Sequence, residues 1–491
     1  RRNKSVYGKK KTKLLILSSL KKLAGQTAIY GLSSVFGRLL NYLLVPIYTR
    51  CFLPEEYGIV TELYAYVAFL VVILTYGIET AFFNFSKKEK NTDTVYSTSL
   101  VSLIITSAVF VVLIYINSLE ISRWMGYGIE SKYVKWFAFI VALDAISSIS
   151  FAKLREEEKA IRFTLIRLIG IIINIGLNLY FILYKDLGIE YIFISNLISS
   201  IATIILLTPE MLRTKLTFDV LLWKKMIFYG FPLLIAGMAG MINETIDRIL
   251  LKHLQVNLTP KDISFELGLY GAFYKLSIIM TLFIQTFRFA AEPFFFAQNK
   301  NNMGKKIYAD VMKFFVIFMS VIFLIVTTFY DFFINFLGKN YNDERGFMVV
   351  SILLLANLFL GVFYNLSVWY KLTEKTIFGA YLSIFGAIIT IALNVYLIPI
   401  MGFVGSAWAT LACYFCMALA SYFIGKKHFY IPYEVKRILL YLFVVLLIYF
   451  VVYFSNLNVY VSTILLIGFF IFVYFLETVK TKSQNECKNH Q

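Results

Sequence analysis

Apolar runs of about 20 residues alternate with short polar gaps along nearly the whole chain, and a helix of that length crosses the roughly 30 Å hydrocarbon core of a bilayer. The runs fall at 23–48, 58–85, 95–119, 133–151, 164–184 and 191–208, and then at 226–251, 267–297, 308–333, 347–370, 378–400 and 403–425. Two more, at 435–454 and 459–475, close the series. The pattern predicts an all-α polytopic membrane protein of about fourteen transmembrane helices. Its expected parts are a basic N-terminus (1–22), a first lobe of six helices (23–208), a linker (209–225), a second lobe of six (226–425), two further helices (435–475) and a tail (476–491).

Charge gives the orientation. Roughly two thirds of the 47 Lys and Arg crowd into the N-terminus and every second gap, which the positive-inside rule assigns to the cytoplasm. Both termini are therefore expected there. Lys87 and Lys88, Lys153 to Arg162, Lys300 to Lys306 and Lys426 to Arg437 mark successive inner gaps, and the outer gaps are short. With 59% hydrophobic and only 15% charged residues, no water-soluble packing could hide the apolar surface. A net charge of +18 would suggest nucleic acid in a soluble protein, but here the cations hold loops against an anionic leaflet. Membrane lipids, and no nucleic acid, are the partners this implies. Nine basic residues ahead of the first run, and the length of that run, are expected of an uncleaved span rather than a signal-peptide core.

The chain also repeats itself. Tyr30-Gly31 opens the first run as Tyr229-Gly230 opens the seventh, and Gly58 and Tyr64 begin the second as Gly268 and Tyr274 begin the eighth. Glu79 with Phe82-Phe83 ends the second as Glu292 with Phe295-Phe296 ends the eighth, and Asn178-Leu179-Tyr180 before Gly188 matches Asn394-Val395-Tyr396 before Gly402. Because six is even, both copies enter the membrane from the same side, so the lobes are parallel repeats about a pseudo-two-fold axis along the membrane normal. Transporters of this build place substrate between the lobes.

A charge inside a span costs about 2.5 to 3.5 kcal/mol on insertion scales and so marks a cavity or a partner. In the first span Thr27, Gly31, Ser34, Arg38 and Asn41 lie at spacings of three and four, a small and polar stripe with one cation. It fits a water-lined face or, in the plainer account, a tight helix contact. The eighth span carries Lys275, Gln285, Arg288 and Glu292; Lys275 can snorkel, whereas Arg288 lies deep. Asn243, Glu244, Asp247 and Arg248 cluster in the seventh, with Glu244 and Arg248 four apart as expected for an ion pair within one helix. Glu79, the repeat counterpart of Glu292, suits a symmetric structural role and a substrate role equally. Asp144 has no basic partner within a helical turn, which suits proton or cation coupling, or else a polar contact with Ser147 or Ser148. Arg167 either snorkels to the headgroups or lines the cavity. No His, P-loop or metal-ligand spacing suggests catalysis, a cofactor or a metal site, and Cys413 and Cys416 within an apolar run read as helix packing.

The Tyr30-Gly31 entry with Pro46, the stretch Leu53-Pro54-Glu55-Glu56-Tyr57-Gly58, Tyr229-Gly230-Phe231-Pro232-Leu233, Asp247-Arg248 and Gly268-Leu269-Tyr270 resemble the polysaccharide-unit flippases of the multidrug, oligosaccharidyl-lipid and polysaccharide exporter superfamily. The resemblance implies a V-shaped, MATE-like fold in the bacterial inner membrane that moves an undecaprenyl-diphosphate-linked oligosaccharide by alternating access, alongside other polysaccharide-assembly proteins. The family's cationic cavity maps onto Arg38 and Arg288. Ser34, Asn41, Gln285 and Lys275 would complete the substrate set, with Asp144, Glu244, Asp247, Arg248, Glu79 and Glu292 as coupling or ion-pair residues. A proton- or sodium-coupled organic-cation antiporter of the same fold is the nearest alternative. A membrane-bound polymerase or acyltransferase is a third, disfavoured by the lack of a positioned general base.

The orientation is directly testable. Cysteines placed at Lys88, Lys305 and Lys427 are expected to react with an impermeant maleimide only from the cytosol, and those at Lys132, Lys261 and Asn340 only from outside. A mixed pattern would break the even span count.

Overall fold

The computed structural model describes residues 35–489, apart from residues 90, 128–130, 256, 299–303 and 456–458. The described chain contains helices and no strand. Thirteen of those helices are long and apolar enough to cross a membrane, and they coincide in order with the second to fourteenth runs. Residues 23–34 of the first run lie outside the described residues. Its described part is a helix over residues 35–42 that breaks at Leu43-Leu44 before the helix Val45–Cys51, because Pro46 cannot donate to the turn before it.

The ends of the helices follow from local chemistry. Pro54 starts the second span, where its missing N–H costs nothing, and the Glu56 carboxylate accepts the Leu53 N–H at 2.9 Å. Asn91 caps the third span and Asp219 the seventh, whose Leu221 and Leu222 N–H groups donate to Asp219 Oδ1 at 2.9 Å. Such caps and first turns are polar, so the observed helices outrun the apolar runs. The seventh is Val220–Leu254 and the eighth Pro260–Gln298. At 35 and 39 residues they are about 52 and 58 Å long, well beyond the hydrocarbon core.

The chain divides into two compact units. The first comprises residues 1–268 with Gln285–Pro293, so it holds the second to seventh spans: Pro54–Ser86, Thr92–Ile116, Lys132–Glu156, Ala160–Tyr184, Glu190–Leu212 and Val220–Leu254. The fourth span is its axis, most of its length being buried against the third and sixth. One end is filled by Ile78, Phe82, Tyr96, Leu103, Ile149 and Met226, drawn from the second, third, fourth and seventh spans. The seventh helix, which the repeat assigns to the second lobe, thus packs along the second span.

That contact is made backbone to backbone. The second span breaks at Tyr76 and Gly77, both left-handed (φ 34° and 74°), and resumes at Ile78. A Cβ on Gly77 would stand 2.6 Å from the Gly230 carbonyl oxygen, and one on Gly230 2.9 Å from that of Tyr76. Further along, a Cβ on Gly58 would overlap the Ser264 carbonyl while one on Gly268 would overlap that of Pro54. Each partner lies four residues before the opposite glycine. Gly58 and Gly268 are repeat counterparts, so this reciprocal contact is what a local two-fold axis between them produces. A second matched pair behaves alike: buried Asn178 and Asn394 donate to the carbonyls four residues back, those of Asn174 and Thr390, at 2.7 and 2.8 Å.

The second unit, Leu269–Ile284 with Phe294–Gln491, packs the twelfth span (Phe403–His428) against the tenth (Gly346–Leu372) and the eleventh (Ile377–Met401), and the ninth (Lys305–Thr328) against the tenth and thirteenth (Val435–Ser455). Buried Lys313 donates to Glu477 at 2.6 Å, and Tyr441 donates to the same carboxylate at 2.6 Å, which fixes both C-terminal helices to the ninth. In the loop before the tenth span, Arg345 clamps Asp343 through two 2.9 Å bonds and lies 4.3 Å over the Phe403 ring. The guanidinium holds the Asp343 carboxyl below the usual carboxylate range.

Gly77→Ala meets both a positive φ and the Gly230 carbonyl, which costs about 1 to 3 kcal/mol. A lowered midpoint of thermal unfolding in detergent is expected, while Gly176→Ala, whose Cβ meets nothing within 4 Å, is expected to match the parent.

Candidate functional site

Most of the charges that enter spans in the first unit arrive with a partner from another helix. Arg155 on the fourth span pairs with Glu79 on the second, its guanidinium 5.0 Å over Phe83. Arg162 on the fifth meets buried Glu210 on the sixth at 2.6 Å. Lys153 on the fourth reaches Asp93 on the third at 3.2 Å, donates to Thr214 at 2.5 Å and sits 4.2 Å over Tyr96. These pairs join different helices and so bring opposite charges together, as a low-dielectric interior requires.

Two arginines stand outside this pairing. Arg38, on the exposed face of the helix over residues 35–42, forms no ion pair among the described residues. Its helix is held close to the fifth span, where Gly37 leaves room for Ile171. Arg167, on that fifth span, lies over the rings of Phe151 and Phe163 at 5.4 and 5.3 Å. Arg38, Arg155, Glu79 and Asp144 all lie within electrostatic range of Arg167, so three guanidinium groups face two carboxylates. The cluster carries a surplus of positive charge. Planar, forked donors of this kind suit phosphate oxygens.

The other expected residues distribute unevenly. Asn41 is exposed beside Arg38, and Ser34, with Thr27 and Gly31, lies outside the described residues. Arg288 and Gln285 are half-buried and belong to the stretch Gln285–Pro293, which groups with the first unit and hence with Arg38. Lys275 is half-buried in the second unit. Glu292 has its side chain outside the described part.

Two expected pairings are replaced by others. Glu244 is exposed and its carboxylate does not meet Arg248; Arg248 Nη1 donates instead to the Glu244 backbone carbonyl at 2.7 Å and to Asp247 Oδ1 at 3.4 Å. Asp247 is buried and Glu244 is not, so the guanidinium turns toward the charge that water cannot screen. Asp144 accepts from Ser200 on the sixth span at 2.9 Å, while Ser147 and Ser148 donate to their own helix at Leu143 and Ala145. Its partner lay 56 residues away in sequence, beyond any helical spacing rule.

Glu62 was missed altogether. Buried in the second span, it accepts from Lys252 at 2.7 Å and from Tyr127 at 2.5 Å. A carboxylate four residues into an apolar run was the available signal. Among the described residues no three His, Cys, Asp or Glu side chains stand together as metal ligands would.

Thirteen apolar spans among the described residues, with charges paired across helices, define a multi-pass membrane protein, and its fold is that of flippases and multidrug exporters. The lipid II flippase MurJ in an inward closed conformation superposes with a TM-score of 0.71 at 16% identity, over 92% of this chain and 99% of that one. A multidrug resistance MATE family transporter in an inward-facing conformation gives 0.60 at 13% identity, over 82% and 94%. A Vibrio cholerae MATE transporter in the bent form gives 0.52 at 12%, over 84% and 98%. No curated protein matches the sequence. The model of the polysaccharide biosynthesis protein family matches residues 23–299, more than half of the chain, and the chain belongs to that family.

Proposed function

We propose that this protein flips an undecaprenyl-diphosphate-linked oligosaccharide across the bacterial cytoplasmic membrane by alternating access of its two six-helix lobes, with both termini in the cytoplasm, for surface polysaccharide assembly. The observation that carries the reading is the uncompensated positive charge around Arg38 and Arg167. A diphosphate supplies the missing negative charge, and hydroxyl-bearing sugars suit Asn41 and Gln285 near the two arginines Arg38 and Arg288. Membership of a polysaccharide biosynthesis family and the fold shared with a lipid II flippase support the substrate class. Lys275 is also assigned to the sugar-binding set. The proposal needs no bond to be made or broken, and other assembly proteins would supply and consume the lipid-linked unit.

An organic-cation antiporter would need surplus carboxylate in the same place. The paired state of Glu79 and the Ser200 bond to Asp144 leave little of it.

Deleting the gene is expected to leave the lipid-linked oligosaccharide on the cytosolic leaflet, and surface polysaccharide without such accumulation would refute the reading. Arg38→Ala, Arg167→Ala and Arg288→Ala are each expected to lower surface polysaccharide at least tenfold at normal protein level, with Lys restoring only part because it lacks the planar fork. Wild-type polysaccharide in any one of them returns that residue to a structural role.

Asp144 is assigned to coupling. It is a half-buried carboxylate held by a single hydroxyl, able to take up a proton when water reaches it. Asp144→Asn keeps the Ser200 contact and is expected to transport more slowly in proteoliposomes, without response to an imposed pH gradient. Transport with undiminished response would move coupling to Glu244 or Asp247.

A further inference from the structure

Glu62 makes a tight, buried polar contact in the first unit that the proposed substrate site does not use. Its Oε2 accepts from both Lys252 Nζ and the Tyr127 hydroxyl, and Lys252 Nζ stands 4.4 Å over the Tyr127 ring. Its Oε1 is buried with no hydrogen-bond partner. Beside the pair, the Tyr66 hydroxyl lies 3.1 Å from His253 Nε2, and the His253 ring stacks on Trp124 at 4.8 Å. Lys252 and His253 occupy the last turn of the seventh helix, where the helix dipole favours cations. One helical turn before Glu62 lies Gly58, in its reciprocal contact with Gly268. Glu55 and the highly exposed Lys261 form a further pair at 3.6 Å, which adds little.

These contacts join parts of the chain that the repeat places in different lobes. Glu62 and Tyr127 belong to the first copy, Lys252 and Gly268 to the second. All lie at the end of the helices that the distribution of Lys and Arg assigns to the outer side. Alternating access must part the two copies at this end, and opening would return water to the unmet Glu62 Oε1.

Resting on the alternating-access reading above, we propose that Glu62, Lys252 and Tyr127 form an outer latch: the ion pair and the Gly58–Gly268 approach close the outer end together, and release of substrate to the outside requires both to part. The glycines supply a flat surface that separates and re-forms without rearranging side chains. The ion pair supplies the bias toward closure.

The test uses the full chain in whole cells, with its four cysteines replaced by serine and Val72→Cys as reporter. Val72 lies half-buried in the middle of the second span, 3.2 Å from the Cβ position of Gly237 on the seventh, so parting of the two helices there raises its access to water from outside. Glu62→Gln/Lys252→Met removes both charges and is expected to raise the rate of labelling by an external, impermeant maleimide about fivefold, by shifting the population toward the open state. Glu62→Lys/Lys252→Glu is expected to return the rate toward the parent. Should the neutral variant accumulate poorly, Tyr127→Phe keeps the charges, removes one hydrogen bond and is expected to shift labelling in the same direction by a smaller factor. Unchanged labelling in the neutral variant, or in Tyr127→Phe where that is the variant measured, would make the cluster a static strut and overturn the latch. Labelling requires no substrate, so a wrong substrate assignment would appear in the lipid-linked intermediates and leave these rates unaltered.

Discussion

A charge packed between helices must bring its counter-charge with it, and among the described residues that counter-charge mostly comes from another helix. The Lys153–Asp93, Arg155–Glu79, Arg162–Glu210, Lys252–Glu62 and Lys313–Glu477 pairs each join two different spans. Lipid offers no hydrophobic drive between apolar helices, so such pairs, with close glycine contacts, do much to decide which helix lies beside which. The same constraint isolates the site. Once these pairs are formed, positive charge around Arg38 and Arg167 remains that the described residues do not neutralise.

The glycine contacts set how closely the helices approach. At Gly77 and Gly230 the second and seventh helices touch through their carbonyls, and the left-handed turn at Tyr76–Gly77 lets the second span continue past that crossing. The Gly58–Gly268 contact is its counterpart toward the other end, and its symmetry ties the internal repeat to a physical surface. A side chain at either position would push the backbones apart and lengthen every polar contact nearby.

Much of this was legible in the sequence because it depends on local periodicity. The spans follow from run length, and the matched residues Gly58 and Gly268, or Asn178 and Asn394, occupy equivalent places because a repeat preserves local packing as well as hydropathy. The pairing of charges was not legible. Glu79 and Arg155 are 76 residues apart, and Glu62 and Lys252 are 190 apart, so no helical spacing joins them. The one pair that spacing did suggest, Glu244 with Arg248, is replaced by Asp247 because burial outweighs register. The break at Leu43-Leu44 was signalled by Pro46, whereas the left-handed turn at Tyr76, a residue type that rarely takes positive φ, is imposed by tertiary contact.

The energetics of buried ion pairs explain why a latch would be built from one. Bringing Glu62 and Lys252 together strips water from both, and their attraction in a low-dielectric setting roughly offsets that cost, so the net stabilisation is small while removal of one partner is expensive. A purely apolar contact of the same area would oppose opening by the full cost of hydrating it. The ion pair opposes opening by less, because each charge regains its hydration, yet it disfavours wrong registers strongly, since a misplaced helix would bury one charge alone. A protein that must close to one geometry and still part during each cycle gains from that asymmetry. At Arg38 and Arg167 the balance is left incomplete among the described residues, and the diphosphate of the proposed function is what would complete it.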